Sequence, residues 1–107
     1  MKYKVQIVED AERDMTEIAH FLAERESVER ALAVVAEIQA LCASLDSIPA
    51  RGNYPPELRD MGITHFRELR FKPYRIIYEV IEAQVFIHCV LDGRRDMQSL
   101  LKRRLLR

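Results

Sequence analysis

A small α+β domain, with a helical hairpin on a mainly antiparallel four-stranded sheet, is what this sequence predicts. Three observations lead there. A strand-like run opens the chain and two helical stripes follow it. Three strand-like runs joined by very short turns come after a punctuated loop, and a last helix closes the order β-α-α-β-β-β-α. Helices grouped apart from most of the strands favour a helical layer packed on a sheet. A length of 107 residues fits one domain, residues 1–107, and no internal repeat or low-complexity tract divides it.

Each element has its own local signal. Tyr3, Val5 and Ile7 alternate with Lys2, Lys4 and Gln6, the period-two pattern of a half-buried strand over Tyr3–Val8. Asp10 is placed to cap the next helix, with Glu12 and Asp14 adding negative charge near its positive end. Met15, Ile18, Ala19 and Leu22 then form one apolar stripe. Ser27 is a second capping residue, ahead of the stripe Ala31, Val34, Val35, Ile38, Leu41, Cys42 and Leu45. Few residues separate the helices, so they form an antiparallel hairpin, and Ile48-Pro49 ends it because proline cannot continue a helix. Gly52, Asn53, Pro55, Pro56 and Gly62 mark a loop. His65–Phe71, Tyr74–Ile81 and Gln84–Leu91 read as strands, and Lys72-Pro73 and Glu82-Ala83 are short enough to make both connections hairpins. Asp96 to Leu105 reads as the last helix, with Met97, Leu100, Leu101 and Leu105 on one side. Ile18, Leu22, Ile38, Leu41, Ile76, Tyr78 and Val80 are expected in the shared core.

Composition narrows the function classes. No run reaches the length of apolar sequence a membrane span needs, and the first residues lack the pattern of a secretory signal, so a cytoplasmic protein without a membrane partner is expected. Cys42 and Cys89 are isolated, and His20, His65 and His88 show no ligand spacing with them; no metal site is expected. There is no phosphate-binding glycine loop and no nucleophile-elbow motif, and no cofactor is implied. Charge is the informative feature. Residues 1–64 hold seven basic against twelve acidic residues, a balance of −5, whereas residues 65–107 hold ten against five, a balance of +5. A basic second half suits nucleic acid or an acidic peptide.

Within that half the basic residues are mostly arginine. Arg67 and Arg70 lie in the second strand and Arg75 in the third; Arg94 and Arg95 directly follow the fourth. Lys102, Arg103, Arg104 and Arg107 add charge at the end. The planar guanidinium fork matches phosphate and carboxylate oxygens alike. Hairpin-linked strands are expected to bring Arg75 and the Arg94-Arg95 pair close on one sheet surface, with surface ion pairs to Glu68, Glu79 or Asp96 as the plain alternative.

Taken in order, the segments resemble the RelE/ParE toxin superfamily over nearly the whole chain. The carrying residues are the opening strand and Ala11-Glu12-Arg13-Asp14-Met15-Thr16-Glu17-Ile18-Ala19, then Leu45-Asp46-Ser47-Ile48-Pro49 with Gly52 and Tyr54-Pro55-Pro56-Glu57-Leu58. Phe66-Arg67-Glu68-Leu69-Arg70, Tyr74-Arg75-Ile76-Ile77-Tyr78-Glu79-Val80 and Val90-Leu91-Asp92-Gly93-Arg94-Arg95-Asp96 complete it. The resemblance implies the toxin of a bacterial type II toxin–antitoxin pair, neutralised by a cognate antitoxin, with a homodimer or a toxin–antitoxin hetero-oligomer as the assembly.

Two mechanisms are found in that superfamily. Members like RelE cut ribosome-bound mRNA without a metal, using basic residues to promote attack by the ribose 2′-hydroxyl. By resemblance Arg75 and Arg95 fall on the two arginines of that pattern and Arg67 on a strand lysine. Where a second lysine and a base-stacking tyrosine occur in it, this sequence has Leu69 and Leu101. Metal-independent, ribosome-dependent mRNA cleavage is the leading expectation, with Arg75, Arg95 and Arg67 catalytic and Arg70, Arg94, Lys102 and Arg103 binding nucleic acid or antitoxin, and gyrase inhibition is the alternative. Members like ParE instead inhibit DNA gyrase by binding protein, and there the helical hairpin or the C-terminal end would matter more than Arg75. A pure binding module, with its basic face serving an antitoxin, is the third reading.

Overall fold

A computed structural model describes residues 2–106 of the chain. Strand β1 (Lys4–Ile7) leads into α1 (Glu9–Arg25) and α2 (Val28–Ala43), followed by 3-10 turns at Ser44–Asp46 and Pro49–Arg51 and a one-turn helix α3 (Pro56–Arg59). Strands β2 (Phe66–Phe71), β3 (Tyr74–Ile81) and β4 (Gln84–Asp92) precede α4 (Met97–Leu105). The sheet order is β1-β4-β3-β2; β2, β3 and β4 form an antiparallel meander, and β1 joins the β4 edge in parallel.

Local chemistry explains most boundaries. The Ser27 hydroxyl accepts from the Arg30 amide at 3.0 Å and starts α2. Asp96 does the same for α4, accepting from the Ser99 amide at 3.2 Å. Asp10 does not cap α1: the helix begins at Glu9 and its cap position is Val8, which has no side-chain acceptor. Three acidic residues in the first turn complement the exposed amides there instead. The Lys72-Pro73 peptide in the β2–β3 turn is cis.

Both faces of the sheet are covered, one more than the sequence reading assigned. On the first face, Ala11, Met15 and Leu22 of α1 and Ala31, Val34, Ile38 and Cys42 of α2 pack with Ile76, Tyr78, Val85, Ile87 and Val90. On the second, Leu58 of α3 and Met97, Leu100 and Leu101 of α4 pack with Phe66, Ile77, Cys89 and Leu91. Strand β4 serves both cores through a shift in register: Ile77 pairs with Cys89 but Tyr78 pairs with Ile87, so His88 is inserted between them. That extra residue changes the phase of alternation, sending Ile87 to one core and Cys89 to the other. Of the seven expected core residues, Leu22, Ile38, Ile76 and Tyr78 are buried, while Ile18, Leu41 and Val80 are half-buried at its margin.

Tyr78 also anchors the loop before β2. Its hydroxyl donates to the Pro49 carbonyl at 2.7 Å and accepts from the Gly52 amide at 2.9 Å. A Cβ at Gly52 would lie 2.5 Å from the Glu68 carbonyl oxygen and 2.6 Å from the Tyr78 hydroxyl, so only glycine permits this approach. Asn53 then exchanges backbone hydrogen bonds with Glu68, which covers the outer edge of β2.

Replacing Tyr78 by Phe strands the Gly52 amide and the Pro49 carbonyl, and is expected to lower stability by about 1–3 kcal/mol. Ile38→Ala should cost about 2–5 kcal/mol and Leu41→Ala clearly less, because only Ile38 is fully enclosed. Urea denaturation of the three variants checks this order; equal losses for Ile38 and Leu41 would contradict the burial.

Candidate functional site

The register decides where each arginine goes. On β2, Phe66, Glu68 and Arg70 lie opposite Glu79, Ile77 and Arg75 of β3 and share the face covered by α3 and α4. Arg67 lies opposite Tyr78 and so points to the hairpin face. Arg67 and Arg75 are therefore separated by the sheet, and the expected trio of Arg67, Arg75 and Arg95 is not one constellation. Arg67 instead holds the loop: it donates to the Gly52 carbonyl at 2.8 Å, and its guanidinium stacks 4.6 Å from the centroid of the Tyr54 ring.

Arg75 is the most enclosed of the candidates, its side chain only 7% exposed. Both Nη atoms donate to Glu57 of α3, at 2.8 and 2.7 Å, in a two-pronged clasp. Its Nε donates to Glu68 at 2.6 Å, and the second Glu68 oxygen accepts from Arg70 at 3.1 Å. A guanidinium buried in this way requires paired carboxylates, since desolvation of a lone charge costs several kcal/mol. The hydrogen bonds to Glu57 raise the Arg75 pKa further and fix its charge, while those same bonds from Arg75 hold the Glu57 carboxyl below its ordinary value. Gly93 makes room for the arginine stem, because a Cβ there would lie 2.7 Å from Arg75 Cδ.

The exposed basic residues fall into separate clefts. Arg70, Lys72 and Arg94 surround the Arg75 stem, with Pro73 and Gly93, in a shallow cleft of about 320 Å³ at the β2–β3 turn. Arg94 is tied to Asp92 at 2.6 Å. Arg95 belongs to a different groove, of about 260 Å³, between α1 and the end of β4, beside Ile18, Phe21 and Tyr74. Arg94 thus shares a cleft with Arg75, as expected for neighbours on one surface, and Arg95 does not. Lys102 and Arg103 are exposed on α4, and Arg103 faces Asp10, Arg13 and Glu17 of α1 across a third cleft. Leu101, at the position of the superfamily's stacking tyrosine, is fully buried. Burial raises the Cys42 thiol to about 11 and the Cys89 thiol to about 12, which makes both packing residues rather than nucleophiles. His88 is half-buried, its Nε2 3.0 Å from Glu79.

One polar pair was missed entirely by the sequence reading. Asp14, taken there as a charge favouring the start of α1, is buried. It accepts from both Nη atoms of Arg104 at 3.0 and 2.8 Å and from the Val90 amide at 3.0 Å, and Arg104 donates onward to the His88 carbonyl. Strand β1 accompanies β4 only as far as Ile87. The Asp14–Arg104 pair supplies hydrogen bonds where the backbone of β4 has lost its neighbouring strand. A polar residue at an otherwise apolar helical position, Asp14 next to Met15 and three residues after Ala11, was the available signal.

Comparison with known proteins adds a family and a fold. A family profile described as ParE toxin of the type II toxin–antitoxin system, parDE, matches residues 5–97. Among solved structures, a chain of the chromosomal ParDE toxin–antitoxin system from P. aeruginosa superposes with a TM-score of 0.70 at 18% identity, covering 83% of this chain and 94% of that one. A chain of the toxin–antitoxin complex RelBE2 from Mycobacterium tuberculosis gives 0.58 at 22% identity, covering 84% and 96%. No curated protein sequence matches.

Two outcomes test the polar geometry. Arg104→Ala leaves the Asp14 carboxylate buried without its cation and should cost about 3–5 kcal/mol, read by urea denaturation; a loss under 1 kcal/mol, of the size of a surface pair, would deny that burial. The lowered Glu57 pKa gives a stability contribution fully present above the ordinary value of 4.5 and lost as pH falls through the lower folded value. Glu57→Gln should therefore be the less stable protein at neutral pH and show a flatter decline on acidification. Parallel pH profiles for the two proteins would contradict the assignment.

Proposed function

Because the chain belongs to the ParE toxin family of type II toxin–antitoxin systems, we propose that it arrests growth by binding a protein target, DNA gyrase, and not by cutting ribosome-bound mRNA, and that a cognate antitoxin neutralises it. The observation that carries this reading is the state of Arg75. Metal-independent RNA cleavage needs exposed cations where charge develops on the phosphorane, and a group able to take a proton from the 2′-hydroxyl. Arg75 is instead clasped by Glu57 and Glu68 in a nearly closed site. Arg67 is on the other face, Arg95 is in another groove, and arginine is in any case a poor base. With Leu101 in the core there is no aromatic ring at that position to stack on a base.

Protein binding has a specific surface in its favour. Phe21 near the end of α1 and Val28 and Leu32 at the start of α2 are 52%, 60% and 65% exposed, all on the two helix ends that flank the hairpin turn. Large apolar side chains left open together on a small domain are characteristic of a contact surface. The endonuclease reading retains Arg75, Arg95 and Arg67 as its catalytic set, and it requires the Glu57 carboxylate to leave Arg75 when RNA binds.

Brief induction in cells, with mapping of both mRNA 5′ ends and gyrase-dependent DNA breaks, separates the two. The expected result is DNA breakage without new ribosome-site cleavage. Leu32→Glu should abolish toxicity while Arg95→Ala keeps it, both folded by circular dichroism. Codon-phased mRNA cleavage lost in Arg95→Ala would overturn the proposal in favour of the nuclease.

A further inference from the structure

We propose that this chain pairs with a second copy of itself through the outer edge of β1, the two strands running antiparallel about a two-fold axis at Gln6 and joining both sheets into one. Strand β1 is the last in the sheet, and its bonds to β4 fix which of its backbone groups are committed. The Lys4 amide donates to the Ala83 carbonyl at 3.0 Å and the Val8 amide to the Ile87 carbonyl at 3.1 Å, so the even-numbered residues face β4. Alternation turns the amides and carbonyls of Val5 and Ile7 outward, where they meet no partner among the described residues. The open stretch is bounded at Tyr3, whose amide donates to the Asp46 carbonyl at 2.8 Å. At the opposite edge of the sheet, Asn53 already engages β2.

A two-fold pairing satisfies these groups. With Gln6 opposite the second copy's Gln6, Val5 lies opposite the second copy's Ile7 and exchanges both backbone hydrogen bonds with it, and symmetry repeats the exchange. Val5 and Ile7 are half-buried at the margin of the hairpin-side core, and Ile7 borders a notch of about 270 Å³ with Glu12, Met15 and Val35. The second copy's Val5 arrives beside Ile7, at the mouth of that notch.

Charge selects the occupant. The start of β1 is basic, with Lys2 and Lys4 exposed, and the chain just past its end is acidic, with Glu9, Asp10 and Glu12 in the first turn of α1. Neither Lys4 nor Glu12 has an ion pair among the described residues. An antiparallel strand of this same sequence sets the basic start of each copy against the acidic turn of the other, twice by symmetry, whereas a parallel one sets like charges together. Lysines on an edge repel a strand laid against them. In this register they repel strands that lack acids beyond their end, and they favour this chain.

So short a seam predicts a weak, reversible dimer with a dissociation constant of about 10–100 μM. Sedimentation velocity of the purified chain, over a concentration range of about 5–500 μM that brackets this value, reads the association. Val5→Pro removes an outward amide and leaves the bonds of Lys4 and Gln6 to β4 in place. It should weaken the dimer about tenfold or more, with its fold checked by circular dichroism. Should that variant fail to fold, the surface charges carry the test. Lys2→Glu/Lys4→Glu and Glu9→Lys/Glu12→Lys should each be monomeric, and an equal mixture of the two should associate again, since each supplies the charge the other lacks. A chain that stays monomeric throughout overturns the proposal, as does a dimer that survives both charge variants or a mixture that fails to associate. Self-association that ignores these substitutions and is lost in Leu32→Glu belongs to the hairpin turn, and also overturns it. None of these readouts depends on toxicity, so failure here leaves the comparison of gyrase and mRNA damage standing.

Discussion

Arg75 is a permanent cation buried near the start of β3, in a sheet that is covered on both faces, and three segments of the chain are held together by neutralising it. Its two acidic partners come from different distances along the chain: Glu68 from the adjacent strand, Glu57 from the one-turn helix of the preceding loop. Gly93, from the turn after β4, is needed for the stem to pass. Strand, loop and turn are thus held in one arrangement by a single guanidinium. In a low-dielectric setting the partners cannot be released singly without leaving a charge exposed to apolar surroundings.

The same logic operates on the β1 side of the sheet, with signs reversed. There the buried charge is the Asp14 carboxylate, and the cation is Arg104, ninety residues away. The pair joins the first helix to the last and meets the backbone of β4 where β1 stops. The short β1 is therefore compatible with a satisfied β4 because side chains take over from a strand. Both networks use arginine, whose fork can serve several acceptors at once.

These constraints bear on function by fixing which charges are available. A basic second half invites a nucleic-acid reading from sequence, yet the most central of its arginines is committed internally, and the others are spread over two faces and separate clefts. The hairpin turn presents apolar rather than charged surface. The family establishes a type II toxin, and the distribution of free and committed charge is the ground on which contact with a protein target is proposed ahead of phosphate chemistry.

Sequence alone determined the order of the four strands and the three longer helices, because hydrophobic period and turn residues are local properties: β3 begins and ends where its run of β-branched and aromatic residues does, and Ser27 caps α2 as its position before an apolar stripe requires. The one-turn helix α3 falls in a stretch that the sequence marks as loop. It also located the residues that carry charge. It could not say which way they point. A single inserted residue at His88 changes the face of everything after it on β4, and alternation puts Arg67 and Arg75 on opposite sides of neighbouring strands. Nor could it give Asp14 its partner or Arg75 its clasp, since Arg104 and Glu57 are brought there only by the packing of α4 and α3 on the sheet. Pairing between distant charges is a property of the assembled layers, and in this chain the tertiary structure decided which arginines are buried and which remain free.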